Sequence, residues 1–580
     1  MSGGDSTREK FKQEADALKQ IIYEFINGGH IVMAAQVLEQ YALLNPDDPD
    51  LDEIRGMLYP DGTETSDDEI PEEYKILGNI ETVFILSGIT TGRIGFTDSV
   101  LRKMKLMEEM WNYKPLLLTC IHNIDQRKTQ KWLETAGVGQ NTLSSGARIL
   151  NIYDYFQKTY AEGLENKALF IDSDDDTEHE DEVEVKKIYD GYMASLRTVR
   201  YFKDGKAYKD LEYDDWGYLN YIREYSPHSE EIYDVYYYTT DGKLCIKALF
   251  RPTERGIEHE KIIIYDDNEE AITECANSAE LAAICLNKII QDDKFYILVV
   301  EDGLLSKAAT TIDGNKKNVA KCIVVHNIFL NDAYNQKSEP QKFYKYLCEN
   351  HKLFDGIIML TEDARNDFLM LYGEMDSVFV VPHPYPFAIK RTDFENRDNQ
   401  KAVVIARLDP IKQIHLAVEV FALVVKELPD AKLEIYGRGT EEERIKRCIS
   451  MLNLKNNVKL MGYTDEPLAL YNDAVLFIMT SKAEGFGLTL IESISNGCPA
   501  FAFDIKYGPS EIIDDGKTGY LLPRFNKEMF AQRIIAYLED VDMQKKMSEN
   551  CYEAAPEFSN DNFMKKWFRM TETLYNRYRS

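Results

Sequence analysis

Three stretches of this sequence combine residue types and spacings that could do chemistry on an anionic ligand. The fullest is Ser481-Lys-Ala-Glu484-Gly485-Phe486-Gly487-Leu488-Thr489-Leu490-Ile491-Glu492. The pattern predicts a strand ending near Thr480, a glycine turn, and a helix starting near Leu488. Unpaired N–H groups and the positive end of the helix dipole at such a start form an anion site. Glu484 on the loop can face a reacting centre, and Glu492, about one turn into the helix, can reach hydroxyl groups of the same ligand. The second stretch is Ala406-Arg407-Leu408-Asp409-Pro410-Ile411-Lys412-Gln413, directly after a predicted strand. Arg407 and Lys412 can both reach a diphosphate and stabilise the charge that develops on a leaving nucleotide. The third is Tyr436-Gly437-Arg438-Gly439, where glycines let a ligand approach the backbone.

The elements that must position these loops follow from the patterning. Thr82-Val-Phe-Ile-Leu-Ser reads as an apolar strand, followed by Gly88, Gly92 and Gly95, a helix from about Asp98 to Met110, and a strand at Pro115-Leu-Leu-Leu-Thr. This alternation is what a parallel α/β sheet produces. The same grammar resumes at Phe295-Tyr-Ile-Leu-Val-Val, Lys321-Cys-Ile-Val-Val and Gly356-Ile-Ile-Met-Leu-Thr. It returns in a second set, Ala402-Val-Val-Ile-Ala, Lys432-Leu-Glu-Ile-Tyr, Val458-Lys-Leu-Met, Val475-Leu-Phe-Ile-Met and Ala500-Phe-Ala-Phe. Two parallel sheets in tandem predict a cleft where strand C-termini and helix N-termini meet a ligand. Between the two halves of the first set, residues 195–265 change character. Asp204-Gly205 and Asp241-Gly242 sit between Tyr-rich strand-like runs, the mark of antiparallel hairpins.

The expected organisation has four parts. Residues 1–75 are a tetratricopeptide-like helical extension with an acidic linker. Residues 76–390 form a Rossmann-like domain with an antiparallel insertion at about 185–270. Residues 391–559 form a second Rossmann-like domain, and residues 560–580 a helix crossing back to the first. Residues 172–184 hold nine acids and no Lys or Arg. Asp172 and Asp174 could hold a cation, but a solvated, mobile loop is the preferred reading, because such charge runs repel themselves.

Composition bounds the function. Of 580 residues, 44% are hydrophobic and 29% charged, as in an ordinary globular chain. Lys plus Arg total 68 against 99 Asp plus Glu, a formal net charge of -31, which argues against general nucleic-acid binding. The nine cysteines are scattered without metal-type spacing, consistent with reduced thiols and a cytoplasmic protein.

Taken together, the motifs resemble the retaining nucleotide-sugar glycosyltransferases of family 4, which have the GT-B fold. The resemblance rests on the Glu-x7-Glu element in its EGFGLTLIE form, the Arg-x4-Lys pair and Gly516-Lys-Thr-Gly519-Tyr-Leu-Leu-Pro. It implies Arg407 and Lys412 on the diphosphate, Glu484 against the donor sugar and Glu492 on the ribose. The amides of Gly485, Phe486, Gly487, Leu488 and Thr489, with Gly437, would bind the donor. Phe503-Asp504-Ile-Lys-Tyr507-Gly508-Pro509-Ser510-Glu511-Ile-Ile looks like a segment of the bacterial enzymes that α-glycosylate wall teichoic acids or serine-rich adhesins. From that likeness, His326 is placed near the sugar as a catalytic residue, and Gly88, Gly92 and Arg93 form an acceptor or phosphate loop. The expectation is a retaining transferase moving a hexose or N-acetylhexosamine from UDP-GlcNAc or UDP-Glc to a cell-surface polymer or a Ser/Thr-rich protein. No cofactor and no metal are implied. Partners would be the acceptor, a second copy through the inserted sheet or a partner subunit, with peripheral contact to the inner face of the cell membrane. The alternatives are a non-catalytic acceptor-binding subunit and another enzyme on the same fold, such as an epimerase.

Overall fold

The computed structural model describes residues 71–89, 95–124, 148–159, 177–180, 183–189, 196–214, 217–226, 231–253, 256–384, 391–464 and 466–580, with Lys19 and Thr129. The chain divides into two compact units, Met1–Tyr74 and Lys75–Ser580. The tetratricopeptide-like reading of residues 1–75 falls almost wholly outside the described residues.

Within Lys75–Ser580, three sheets carry the architecture. The first has seven strands in the order Val378–Val380, Gly356–Met359, Val319–Val325, Phe295–Val300, Ile80–Leu86, Leu116–Thr119 and Arg148–Asn151. All its pairings are parallel. Its central strands, IETVFIL and FYILVV, are buried along their whole length, as a sheet covered on both faces requires. The third sheet has six parallel strands, in the order Val458–Gly462, Lys432–Tyr436, Asp398–Ile405, Ala474–Met479, Ala500–Phe503 and Gly519–Leu522. Its strand order reverses between Asp398–Ile405 and Ala474–Met479, so the loops leaving those two strands diverge and open a crevice. This is the GT-B arrangement of two Rossmann-like domains facing each other.

The second sheet is antiparallel, a nine-stranded meander running from Thr177–Glu180 to Ala271–Cys275 in chain order. Asp204 (φ 51) and Gly205 (φ 73) make the tight turn joining Leu196–Lys203 to Lys206–Tyr213. Val235, Tyr237, Ile246, Ala248, Ile262 and Ile264 share the core of the first Rossmann domain, which anchors the meander. Of the acidic run at 172–184, the described residues 177–180 and 183–184 are strand rather than the loop read in the sequence. Thr177–Glu180 pairs with Val183–Lys186 as the outer hairpin of this sheet.

After the second domain the chain returns. The helix Asn560–Arg579 buries Phe563, Trp567, Met570 and Leu574 on one face. Its rings meet first-domain rings: Trp567 lies 5.7 Å from Phe84, Phe568 5.8 Å from Trp111, and Tyr578 4.8 Å from Phe295. Among the described residues, no helix is long and apolar enough to cross a membrane.

Candidate active site

The loops after Asp398–Ile405 and Ala474–Met479 bring the two main motifs together. Lys412 Nζ donates to both carboxylate oxygens of Glu484, at 2.6 and 2.8 Å, and Ser481 Oγ donates to Oε1 at 2.5 Å. Glu484 is only 9% exposed, so its charge is held by these partners rather than by bulk water. Backbone bonds fix the loop as well: Glu484 N donates to Lys506 O at 3.1 Å, and Tyr507 N to Glu484 O at 2.9 Å. Arg407 is placed differently. Its side chain is 77% exposed and pairs with Asp409 at 2.8 Å, which leaves it at the rim with a partner on its own loop.

Two glycines of the motif are dictated by geometry. A Cβ on Gly485 would lie 2.0 Å from the His326 carbonyl oxygen and 2.8 Å from Asn327 Cα, so backbone meets backbone where the two domains touch. Gly487 has φ 103 and ends the loop, and the helix Leu488–Ser495 starts at the next residue with no side-chain cap. Uncapped N–H groups at that start open onto a cavity of about 280 Å³. Its walls are His326, Asn327 and His383 from the first domain, and Arg407, Ile411, Lys412 and residues 483–489 from the second. A larger groove, of about 890 Å³, lies between helices Ile414–Glu427 and Glu442–Met451 and includes none of the motif residues.

The remaining predicted residues are more scattered. Gly437 (φ 146) packs against the Ala406 carbonyl, where a Cβ would come within 1.8 Å, and thereby joins the Arg407 loop to the Tyr436 loop. Glu492 is half-buried outside the cavity walls and accepts from the Tyr471 hydroxyl at 3.3 Å. Gly88 follows the strand Ile80–Leu86, next to Ile121. Gly92 and Arg93 lie outside the described residues, as do Asp172 and Asp174.

Behind His326 stand residues that the sequence did not flag. Its Nε2 lies 2.6 Å from Glu301 Oε2, and Glu301 Oε1 accepts from Lys103 Nζ at 2.7 Å. His326 Nδ1 lies 3.4 Å from His383 Nε2, with the two rings stacked at 5.2 Å, and His383 Nδ1 is 3.0 Å from Ser99 Oγ. Burial pushes both imidazoles below their ordinary range, and for His326 the Glu301 hydrogen bond only partly opposes it. Burial pushes the Glu301 carboxyl up, but Lys103 and the His326 hydrogen bond outweigh it and hold the group below its usual range. The signal in the sequence was thin: Glu301 ends the apolar run Phe295–Val300, and its partners lie far away along the chain.

A second contact between the domains lies beside the cavity. The Glu511 carboxylate accepts the backbone N–H groups of Glu362 and Asp363 at 2.9 and 2.8 Å, capping the helix Glu362–Tyr372 of the other domain. Lys506 Nζ reaches both oxygens of Asp367 at 2.8 and 2.6 Å, and the Tyr507 hydroxyl donates to the same carboxylate at 2.8 Å.

Residues 387–554 match the family described as glycosyl transferases group 1. The chain is 27% identical over 516 residues to poly(glycerol-phosphate) alpha-glucosyltransferase of Bacillus subtilis (strain 168), covering 85% of this chain and 75% of the relative. It is 28% identical over 462 residues to poly(ribitol-phosphate) alpha-N-acetylglucosaminyltransferase of Staphylococcus aureus (strain COL), covering 74% and 88%. To the UDP-N-acetylglucosamine–peptide N-acetylglucosaminyltransferase GtfA subunit of Streptococcus gordonii it is 26% identical over 404 residues, covering 66% and 74%. Two solved structures share the fold: S. aureus TarM with UDP and α-GlcNAc-glycerol (TM-score 0.67, 22% identity, 84% of this chain and 99% of that one), and the GtfA/B complex (0.68, 20%, 86% and 100%). The group 1 domain and the two-domain fold mark the chain as a glycosyltransferase with the GT-B fold. Within that class the chain matches the teichoic-acid and adhesin glycosyltransferases that its motifs resemble.

Proposed function

We propose that this protein transfers glucose or N-acetylglucosamine from the UDP-sugar to a teichoic-acid-like polymer or a Ser/Thr-rich protein, with retention of anomeric configuration. The observation that supports it best is Glu484, locked by Lys412 and Ser481 at a helix start and facing the first domain across the cavity. The diphosphate would sit over the N–H groups of Gly485 to Thr489, with Lys412 and Arg407 as its cations. As the sugar–phosphate bond breaks, negative charge grows on the leaving UDP, and these groups stabilise it at the moment it forms. Glu484, beside Lys412, would set its charge against an oxocarbenium-like sugar. The departing phosphate takes the acceptor's proton, so the acceptor enters on the face the UDP leaves. Glu492 would hold the ribose once Tyr471 yields its hydrogen bond.

The site opens to the cytoplasmic pool of nucleotide sugar, and the acceptor reaches it at the inner face of the cell membrane. The GtfA/B complex suggests a partner subunit, and the nine-stranded meander offers a surface for one or for a second copy. The test is UDP release from a panel of UDP-sugars, without acceptor, beside Glu484→Ala. Slow hydrolysis of one donor, lost in the variant, supports the reading and names the sugar. A protein that binds and turns over no donor would instead be the acceptor-gripping subunit.

A further inference from the structure

With His326 neutral, the pattern of donors around it admits one arrangement of protons. Lys103 can only donate, and it already holds one oxygen of Glu301. The other oxygen accepts from His326 Nε2, so that nitrogen carries the hydrogen. In a neutral ring Nδ1 is then bare and accepts from His383 Nε2, which leaves His383 Nδ1 bare to accept from the Ser99 hydroxyl. The chain Ser99, His383, His326, Glu301 thus runs in a single direction and ends on the charge that Lys103 neutralises. Lys103 and Glu301 have side chains only 3% and 0% exposed. A buried ion pair often contributes no more to stability than apolar residues of the same volume, so stability is a weak reason for it. It sits at the C-terminal end of the strand Phe295–Val300, directly behind the cavity wall.

We propose that Glu301 is a positioning residue of the transfer site: clamped by Lys103, it fixes His326 as the neutral Nε2–H tautomer, with its carbonyl seated against Gly485 opposite Glu484. His383 and Ser99 close the same chain from the other side. Both nitrogens of His326 are engaged, which makes the ring a fixed wall rather than a proton carrier. This rests on the glycosyltransferase reading above. The charged and titratable groups around the His326 and His383 rings are Glu301 and Asp302 after one strand, and Lys103 and Arg102 from the helix Gly95–Trp111, with the two rings stacked on each other. Tyr344 lies behind the His326 backbone, and Glu484 and Lys412 lie across the cavity.

The experiment combines steady-state donor hydrolysis with nitrogen-15 spectra of the histidine rings in the full chain. In the wild type, His326 should show a protonated Nε2 and a bare Nδ1. Glu301→Gln turns an NH2 toward Nε2, which forces the hydrogen to Nδ1 and reverses the chain. Its kcat should fall about 10- to 10²-fold, the cost of a small misplacement in the site, with KM for the donor within about 3-fold. Lys103→Met leaves Glu301 with the imidazole alone, so His326 should take a second proton and the pH–rate profile should gain an ionisation. Lys103→Arg should restore the wild-type profile. Ser99→Ala, which touches only the far end of the chain, should free the His383 tautomer and keep the fold if the buried variants fail to fold. A wild-type His326 carrying its hydrogen on Nδ1, or a folded Glu301→Gln with unchanged kcat, overturns the proposal. An inert wild type with the Nε2–H tautomer intact overturns the functional reading instead, and with it the role of the relay in transfer.

Discussion

The two walls of the cleft are built in opposite ways. The second-domain wall is made of two short loops, each following its strand: one carries Lys412, the other Glu484 and the glycines that supply the anion site. The first-domain wall is made of residues from four separate places, Ser99, Lys103, Glu301, His326 and His383, brought together only by parallel pairing and the packing of a helix. One wall lines the cavity with its charges, where they can meet a ligand. The other hides them, where they can only hold one another. Charge meant for a ligand sits on loops, whereas charge meant for alignment sits beneath the sheet ends.

If that contrast holds, Lys412→Ala should be the most damaging single change. It removes the diphosphate cation and leaves Glu484 with Ser481 as its hydrogen-bond partner, so kcat should fall about 10²- to 10³-fold. Arg407→Ala, at the exposed rim, should cost about 10²-fold by the same logic. UDP release at saturating donor measures both, and near-normal turnover in either breaks the account of this wall. Next comes Gly485→Ala, where the two walls touch. The new methyl would meet the His326 carbonyl, the domains must part, and kcat should drop about 10- to 10²-fold at unchanged melting temperature.

The interdomain contact should matter less and differently. In Lys506→Ala combined with Glu511→Ala, the helix Glu362–Tyr372 loses its borrowed cap and Asp367 its cation. Small-angle scattering should then show a larger radius of gyration, with donor KM raised about 3- to 10-fold and kcat nearly intact. An unchanged radius would remove this segment from control of the cleft.

The smallest effect lies away from the cleft. His122 is ringed by Tyr153, Tyr221 and Tyr237 at 5.3, 5.1 and 4.9 Å, and burial pushes its pKa down to about 4 against a partly opposing Asn220 hydrogen bond. The unfolded chain therefore takes up a proton below its ordinary value of 6.5 that the folded chain refuses, so stability is full above about pH 7 and drains as pH falls. Calorimetry of His122→Phe should show at most about 1 kcal/mol less acid destabilisation between pH 7 and 5.5. An identical pH slope would show that the cage is not a proton sink.

The same contrast explains what could be read from residues alone. The two parallel sheets were legible because buried strands such as FYILVV have no polar alternation, and the meander because its Asp-Gly turns are local. The second-domain wall was legible because each of its two loops is a short motif whose internal spacing fixes its shape. His326 was visible only through resemblance, and Lys103, Glu301, His383 and Ser99 not at all, since a Lys in a helix and a Glu after a strand look like solvated charges until the fold buries them. Part of the acidic run misled for the opposite reason: its charge pointed to a loop, while residues 177–180 pair with Val183–Lys186 as a sheet edge.

The helix Asn560–Arg579 carries a consequence for how the molecule is born. Trp567 lies under Lys103, whose Nζ is 5.6 Å from its ring centre, and covers Phe84 and the neighbourhood of the relay. On the ribosome, Lys103 and Phe84 emerge hundreds of residues before Trp567. At about 5–20 residues per second the wait is roughly half a minute to a minute and a half. Throughout that time the first domain shows a bare aromatic patch beside a charge pair without its roof. The domain made first is the domain completed last, and a chaperone that shields that patch during synthesis would be shielding the catalytic wall.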